Sequence, residues 1–472
     1  MEKVFRVKIW NSRLSMYTIT QILCISSVAM IVGYASSVSS LHIKLFEFFY
    51  LLVTVLLGVY VLSRYSNYII PYILFIWTMS PEVRRVVDWS FQSYSEFSLI
   101  MLSPQSVSLL LLIPTLNNIK HINPKVKTLL KVVMVALLYG FLVGFMKYGM
   151  SSIYELLNLF IPFLILIYAN VSYIEDSIKD FWMRSYACLA VIVSIYGIFQ
   201  YITLPPWDHF WMINTDMNSI GLPEAQKFRL YSLLNSPGPA GMFLGFALPV
   251  MLVQRKWRVF GILGVMIVAF ALLLTLVRVG WISCLVMFFV YFLCSQFRKK
   301  IGLLMLMVIM GIAYVSILPI LPGADNVSAR FNTFESLEED HSFNDRLNFA
   351  KYIVPELLKN PIGNGIGSSG VGVKLTQSTN TLAVFDNGYL NLLYVFGLPF
   401  GLAMISVLIY MFIILVKANR HEKKYTPISI AALGAIFFLL LGSNVLSGLS
   451  GIILFLLISL SLTKNPLRKE SM

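Results

Sequence analysis

Charge is what this chain has least of. Only 12% of its 472 residues are Asp, Glu, Lys or Arg, whereas 58% are hydrophobic, and the mean hydropathy is +0.79. A soluble globular domain carries about 25% charged and about 45–50% apolar residues, so that class is excluded. Cysteine is scarce too. Cys24, Cys188, Cys284 and Cys294 all fall within apolar runs, which rules out a disulfide framework outside a membrane. His341 adjoins an acidic cluster (Glu335, Glu338, Glu339 and Asp340), but no second histidine stands at ligand spacing. That cluster reads as a solvated acidic turn, and no metal is expected.

What remains is apolar sequence in long runs. A helix needs about 20 residues to cross a hydrocarbon core of ~30 Å, and about fourteen runs qualify. They cover approximately 15–35, 45–63, 66–80, 97–116, 128–146, 152–172, 184–204, 238–254, 259–277, 279–297, 301–320, 388–416, 426–443 and 445–463. Pro71, Pro81 and Pro104 mark the third and fourth as re-entrant or tilted, which leaves 12 to 14 spans. The expected fold is an all-α polytopic membrane protein with one large extracytoplasmic loop over an outer-facing cavity. Four regions follow: helices over 1–180, helices with arginine-bearing outer loops over 181–320, the large loop over 321–387, and the last helices over 388–472. The basic N-terminus, the run from Ser15 and AlaSerSer at 35–37 mimic a signal peptide. With so many spans behind it, the segment reads as an uncleaved anchor.

Counting lysines and arginines in alternate loops orients the chain, because basic loops stay cytoplasmic. With both termini inside, the cytoplasmic segments hold about two thirds of the 36 basic residues and about a quarter of the 22 acids. The pI near 9.5 therefore reflects short loops facing an anionic leaflet rather than nucleic-acid binding.

The unusual content lies outside. Residues 81–96 mix charged and aromatic residues and read as a short interfacial piece, with Arg84 and Arg85 either meeting lipid phosphate or solvated beside Glu82 and Asp88. Pro205, Pro206, Trp207 and Trp211 form a stiff turn at headgroup level. Arg229 precedes the next span, and Asn235 opens AsnSerProGlyPro, a helix-entry signal whose free N–H groups favour an anion. Arg278 stands in LTLVRVGW at the outer end of two spans. At the bilayer centre such an arginine costs about 2.5–3.5 kcal/mol, so it is either an anion ligand or snorkels beside Trp281.

In the large loop, Leu347, Ala350, Val354, Leu357 and Leu358 fall near helical spacing and predict a surface helix that Pro355 bends. Gly365, Gly367 and Gly370 match G-x-G-x-x-G literally. No strand precedes them and they face away from cytoplasmic nucleotides, so no dinucleotide cofactor is implied.

Arg229, Arg278 and Arg346 share the outer side. Guanidinium groups bind phosphate oxygens bidentately and keep their charge, which suits a diphosphate. Asp386, followed by Asn387 and Tyr389, sits at the mouth of the next span, where a carboxylate can hold or deprotonate a hydroxyl; it can equally cap the helix from Gly388. A diphosphate and a hydroxyl on the side that lacks nucleotides point to glycosyl transfer from a lipid diphosphate.

YGIFQY with LPPW, FRLYSLLNSPGPAG, LTLVRVGW, NDRL, NPIGNGIG and DNGYLNLLYVFGL, in that order over about 190–405, resemble the O-antigen polymerase and ligase superfamily, the Wzy/WaaL-type membrane glycosyltransferases. The resemblance implies that Arg229 and Arg278 grip the diphosphate of an undecaprenyl-linked oligosaccharide, with Arg346 near the same site. It also implies a metal-independent, cofactor-free transfer with inversion at the bacterial cytoplasmic membrane. A chain-length-determining protein and a flippase are partners of such a system. Ligases of the family usually have histidine before the motif asparagine. Asp386 stands there in this chain, which favours a polymerase over a ligase. From another class, a lipid-linked oligosaccharide flippase would show two related halves; here the polar features crowd into the second.

Overall fold

The computed structural model describes residues 39–215, 219–296, 300–302, 304–305, 308, 311, 322–332, 341–375, 387–420, 422 and 424–463. The expected spans 15–35 and most of 301–320, with Cys24 and the acidic run 335–340, lie outside them.

The described residues form helices and no strand, as an all-α polytopic membrane protein requires. In chain order they are α1 (Ser39–Arg64), α2 (Ile69–Ser90), α3 (Ser103–Leu109), α4 (Leu112–Asn118), α5 (Pro124–Tyr148), α6 (Met150–Val171), α7 (Asp176–Thr203) and α8 (Pro206–Asn214). Then follow α9 (Pro237–Val253), α10 (Gly261–Leu274), α11 (Arg278–Cys294), α12 (Ala324–Asn332), α13 (His341–Lys359), α14 (Gly388–Ala418), α15 (Thr426–Leu439) and α16 (Gly448–Leu462). Among the described residues six helical stretches are long and apolar enough to cross a membrane, and five shorter apolar helices accompany them.

The centre of the bundle is built from α9, α15 and α16. These helices are apolar all round, the pattern of a helix enclosed on every side, and Ile452–Leu460 is buried without interruption. Around them α6 packs on α16, α11 on α15 and α9, α10 on α7, and α5 on α14. Leu285, Phe289 and Leu293, four residues apart on α11, are each more than half exposed, a stripe suited to lipid rather than water.

Two polar networks mark opposite ends of this bundle. At one, Asp180 accepts from Trp257 Nε1 (3.0 Å) and Tyr425 Oη (3.2 Å) and pairs with Lys256, while Asp176 pairs with Lys424. These residues all belong to loops expected on one side of the membrane. The other end gathers the C-termini of α2, α7 and α10 and the N-termini of α9 and α11, the loops expected on the opposite side.

Two expectations are corrected. Residues 81–90 are not a surface piece: they continue α2 past Pro81, and Arg85 is 1% exposed, because its partners come from α8 and the 232–234 backbone. The third run is thus one unbroken helix, whereas the fourth is interrupted into a 3₁₀ turn (Leu99–Leu102), α3 and α4.

The glycine-rich turn is a packing device. Gly363, Gly365, Gly367 and Gly370 all have φ between 89° and 102°, the region that L side chains avoid. Their backbone inserts among α5, α6 and α14. Ile366 N donates to Gly140 O (2.8 Å), Asn364 N to Tyr394 O (2.9 Å), Gly365 N to Val395 O (2.9 Å), and Ser152 Oγ to Ile366 O (2.7 Å). Opposite it, α14 breaks at Gly397 (φ 72°), freeing Leu398 N to donate to Pro361 O (2.8 Å). Irregular backbone among membrane helices must find such partners, since lipid offers none.

A Cβ at Gly144 would sit 1.9 Å from Ile366 O. Gly144→Ala is expected to cost about 1–3 kcal/mol or more and to lower the melting temperature of the purified protein, whereas Gly238→Ala, which meets nothing within 4 Å, does not lower it.

Candidate functional site

The turn between α10 and α11 is the scaffold of the site. Thr275 closes α10, with its Oγ1 donating to Leu272 O (2.7 Å) and accepting from Val277 N (3.3 Å). Leu276 takes a φ of 52°, and α11 begins at Arg278. This tight reversal leaves the Thr275 and Leu276 carbonyls without helical partners.

Arg229 fills that gap. Its segment is stitched to the turn by Leu230 N to Leu274 O (3.1 Å), and its guanidinium donates to Thr275 O (Nε, 3.3 Å), Leu276 O (Nη2, 3.2 Å) and Ser219 O (Nη1, 3.2 Å). A guanidinium has five N–H donors, so two remain for a ligand. Arg330, in the last turn of α12, donates from Nε to the same Leu276 O (3.4 Å). Arg278, half-buried, stands beside them as the first residue of α11, where the positive end of the helix adds to its charge. Burial, then the charges of Arg330 and Arg278, push the pKa of Arg229 down to about 10.

Helix α12 covers this group. Asn326 Nδ2 donates to Tyr201 Oη and Gln226 O (both 3.1 Å), Val327 is fully buried, and Phe331 stacks on Trp281 with centroids 4.6 Å apart and planes at 18°. Gly323 (φ 85°) lets the chain enter α12 against the Tyr201 hydroxyl.

A second cluster steadies the same segment. The Arg85 guanidinium pairs with Glu82 (Nε, 2.9 Å) and Asp208 (2.8 Å), and donates to Leu234 O (Nη1, 2.7 Å) and to Ser232 O. Tyr196 Oη bridges the two acids, at 2.9 Å from Asp208, and Trp207 Nε1 donates to Glu82 (2.7 Å). A buried ion pair of this kind is costly to break, because removing one partner strands the other in low dielectric. Its effect here is to hold 232–234, a few residues beyond Arg229, against α2.

The structure thus brings Arg229 and Arg278 together and adds Arg330, which sequence reasoning missed. Its only signal was a lone basic residue in SARFN, next to the acidic run. Arg346 lies within α13, and its side chain falls outside the described set. That helix packs through Ile353 and Leu357 against Leu390, Leu393 and Tyr394. Of the apolar positions that predicted this helix, Leu357 is buried there while Val354 and Leu358 are exposed. Asn235 is exposed just before α9, at whose first position Pro237 stands. Asp386 lies outside the described residues. The N-cap of α14 is Asn387, whose Oδ1 accepts from Leu390 N (3.0 Å), and Tyr389 donates its hydroxyl to Phe437 O (2.8 Å). Among the described residues no group of His, Cys, Asp or Glu could hold a metal ion.

Arg229 and Arg278, with Arg330 of the covering helix, gather positive charge beside the N-terminus of α11, an arrangement suited to an anion. Because Arg229 binds its proton less tightly when folded, its charge costs stability below pH ~10; the cost is relieved as pH rises toward the ordinary 12.5, or when an anion neutralises the cluster. Inorganic pyrophosphate is therefore expected to raise the melting temperature of the purified protein at neutral pH, and Arg229→Gln to lose most of that rise.

Residues 262–405 match the family model described as O-antigen ligase, a stretch that runs from α10 past the break in α14 and contains Arg278 and Arg330. The match makes this part of the chain similar to the O-antigen ligase domain and supports the likeness to the O-antigen polymerase and ligase superfamily. A comparison with curated proteins found no match.

Proposed function

We propose, with that domain as the premise, that the chain is a membrane glycosyltransferase that moves glycan from undecaprenyl diphosphate to a sugar hydroxyl of a second lipid-linked repeat, at the outer face of the bacterial cytoplasmic membrane. The observation that carries this reading is the meeting of Arg229 and Arg330 on one carbonyl oxygen, with Arg278 beside them. Like charges are held together at a cost, and a doubly charged leaving group repays it.

In the proposed step the acceptor hydroxyl attacks the anomeric carbon as the bond from that carbon to the phosphate oxygen breaks. The electron pair leaves with the diphosphate, whose growing charge the guanidinium groups neutralise. The hydroxyl proton passes to a base, the role we assign to Asp386 at the entrance to α14. Asn387, already fixed as the N-cap, Asn235 and Arg346 of α13 are assigned to substrate contact at the rim, with Tyr389 bracing α14 against α15. The fixed charges make the transfer independent of a divalent cation in this reading.

Polymerisation is preferred because Asp386 occupies the position where ligases of the family usually carry histidine. Transfer to a lipid or protein acceptor is the second reading, favoured by the description of the matched family. A deletion strain separates them: single unpolymerised repeats accumulate if the chain is a polymerase, and full-length lipid-linked chains if it is a ligase.

Reconstituted with a diphospholipid-linked repeat, Arg278→Ala is expected to lose about 10²–10³-fold in turnover while still reaching the membrane. Arg278→Lys should recover little, because a point charge does not reproduce the planar fork. Chain growth at the wild-type rate in Arg278→Ala would remove this arginine from the mechanism.

A further inference from the structure

A groove of about 480 Å³ opens between the C-terminal end of α2 and α8, in the size range of small-molecule sites. None of the chemistry proposed above uses it. Trp89, Gln92, Leu204, His209, Phe210 and Asn214 are among its walls, and no lysine, arginine, aspartate or glutamate lines it. It combines flat aromatic surface with amide and imidazole groups.

Its walls are fixed in advance. The Trp89 ring meets Trp207 edge-on at 5.9 Å, and Trp207 Nε1 is anchored on Glu82 (2.7 Å) and Tyr196 Oη (2.9 Å). The Arg85–Asp208 pair ties α8 to α2 beneath. Gln92 (φ 48°) and Leu204 (φ 45°) both hold left-handed backbone without being glycine, a strain that surrounding structure has to enforce. The Gln92 amide donates to Trp89 O (2.6 Å) and that of Asn214 to Phe210 O (2.8 Å). Each amide oxygen is left without a hydrogen bond among the described residues.

The geometry points to a neutral sugar unit as the occupant of this groove. A pyranose offers a C–H face to an aromatic ring and hydroxyls around its edge, which amides and imidazole can both donate to and accept from. A phosphate or carboxylate would call for a guanidinium or ammonium group, and no arginine or lysine lines the groove. This inference rests on the glycosyltransferase reading. The groove would hold a sugar of the glycan away from the reacting carbon, supplying binding energy remote from the chemistry. The link between the two places is physical: Arg85, beneath the groove, holds the 232–234 carbonyls of the segment that carries Arg229.

The test uses the full-length protein in detergent, titrated separately with neutral oligosaccharides of hexoses and N-acetylhexosamines and with inorganic pyrophosphate, and followed by tryptophan fluorescence. The expected result is sugar binding that His209→Ala or Asn214→Ala, both at exposed positions, weakens roughly tenfold, and Trp89→Ala more, with pyrophosphate binding unchanged. Sugar affinity that is the same in all three variants overturns the inference. So does a wild-type protein that binds no sugar of the panel, or one that binds short-chain phosphatidylglycerol in this groove instead. Sugars that bind as expected while pyrophosphate does not bind wild type uphold the groove and refute the arginine site alone.

Discussion

Keeping like charges together at the end of an apolar bundle is the constraint to which this architecture answers. Arg229 is largely shielded from water, and its guanidinium is satisfied by carbonyl dipoles rather than by a carboxylate. Carbonyls bring enough partial negative charge to hold an arginine in place and too little to cancel it. The reversal at Thr275–Val277 supplies those carbonyls because it is too short to satisfy them internally. Helix α12 then closes the arrangement from above, with the Phe331–Trp281 stack setting its position.

Around that constraint the remaining polar residues act as fasteners. The Arg85 cluster is anionic by count, two carboxylates to one guanidinium, and from α2 and α8 it holds the segment that carries Arg229. The cluster of Asp180, Lys256 and Tyr425 fixes the far end of the bundle, so the helices between are clamped at both ends by electrostatics while their flanks remain apolar. Hydrogen bonds in so dry an interior are strong, and each polar residue there either has its partner or destabilises the fold.

Much of the helix pattern was legible in the sequence, because apolar runs bounded by charge are a long-range, redundant signal. The helix start at Pro237, the near absence of a loop before Arg278, and the surface helix around Pro355 all follow from local chemistry. What escaped was whatever depends on a distant partner. Arg85 looks solvated until α8 is seen to bring Asp208 to it. Arg330 looks like one more loop cation until α12 is seen to dock on Tyr201. On α13 the periodicity picked out Leu357, which packs on α14, but also Val354 and Leu358, which are exposed, because Phe349 and Ile353 complete the packed face. Asp386 remains a reading of the sequence alone. The three glycines of the literal G-x-G-x-x-G, from which no dinucleotide site was expected, find their reason in steric need against Gly144, Ser152 and Glu155, which only the packed structure shows.

The inserted turn at 361–370 also says something about the order of biogenesis. Two of its donors, Asn364 N and Gly365 N, end on the carbonyls of Tyr394 and Val395, which leave the ribosome later than the turn itself. The other contacts come from α5 and α6, synthesised long before. The turn therefore waits, half-completed, until the first half of α14 has entered the bilayer. Helix α13 is likewise threaded before α14, against which its Ile353 and Leu357 pack, has been made, whereas α12 closes on partners already in place, Tyr201, Gln226 and Trp281.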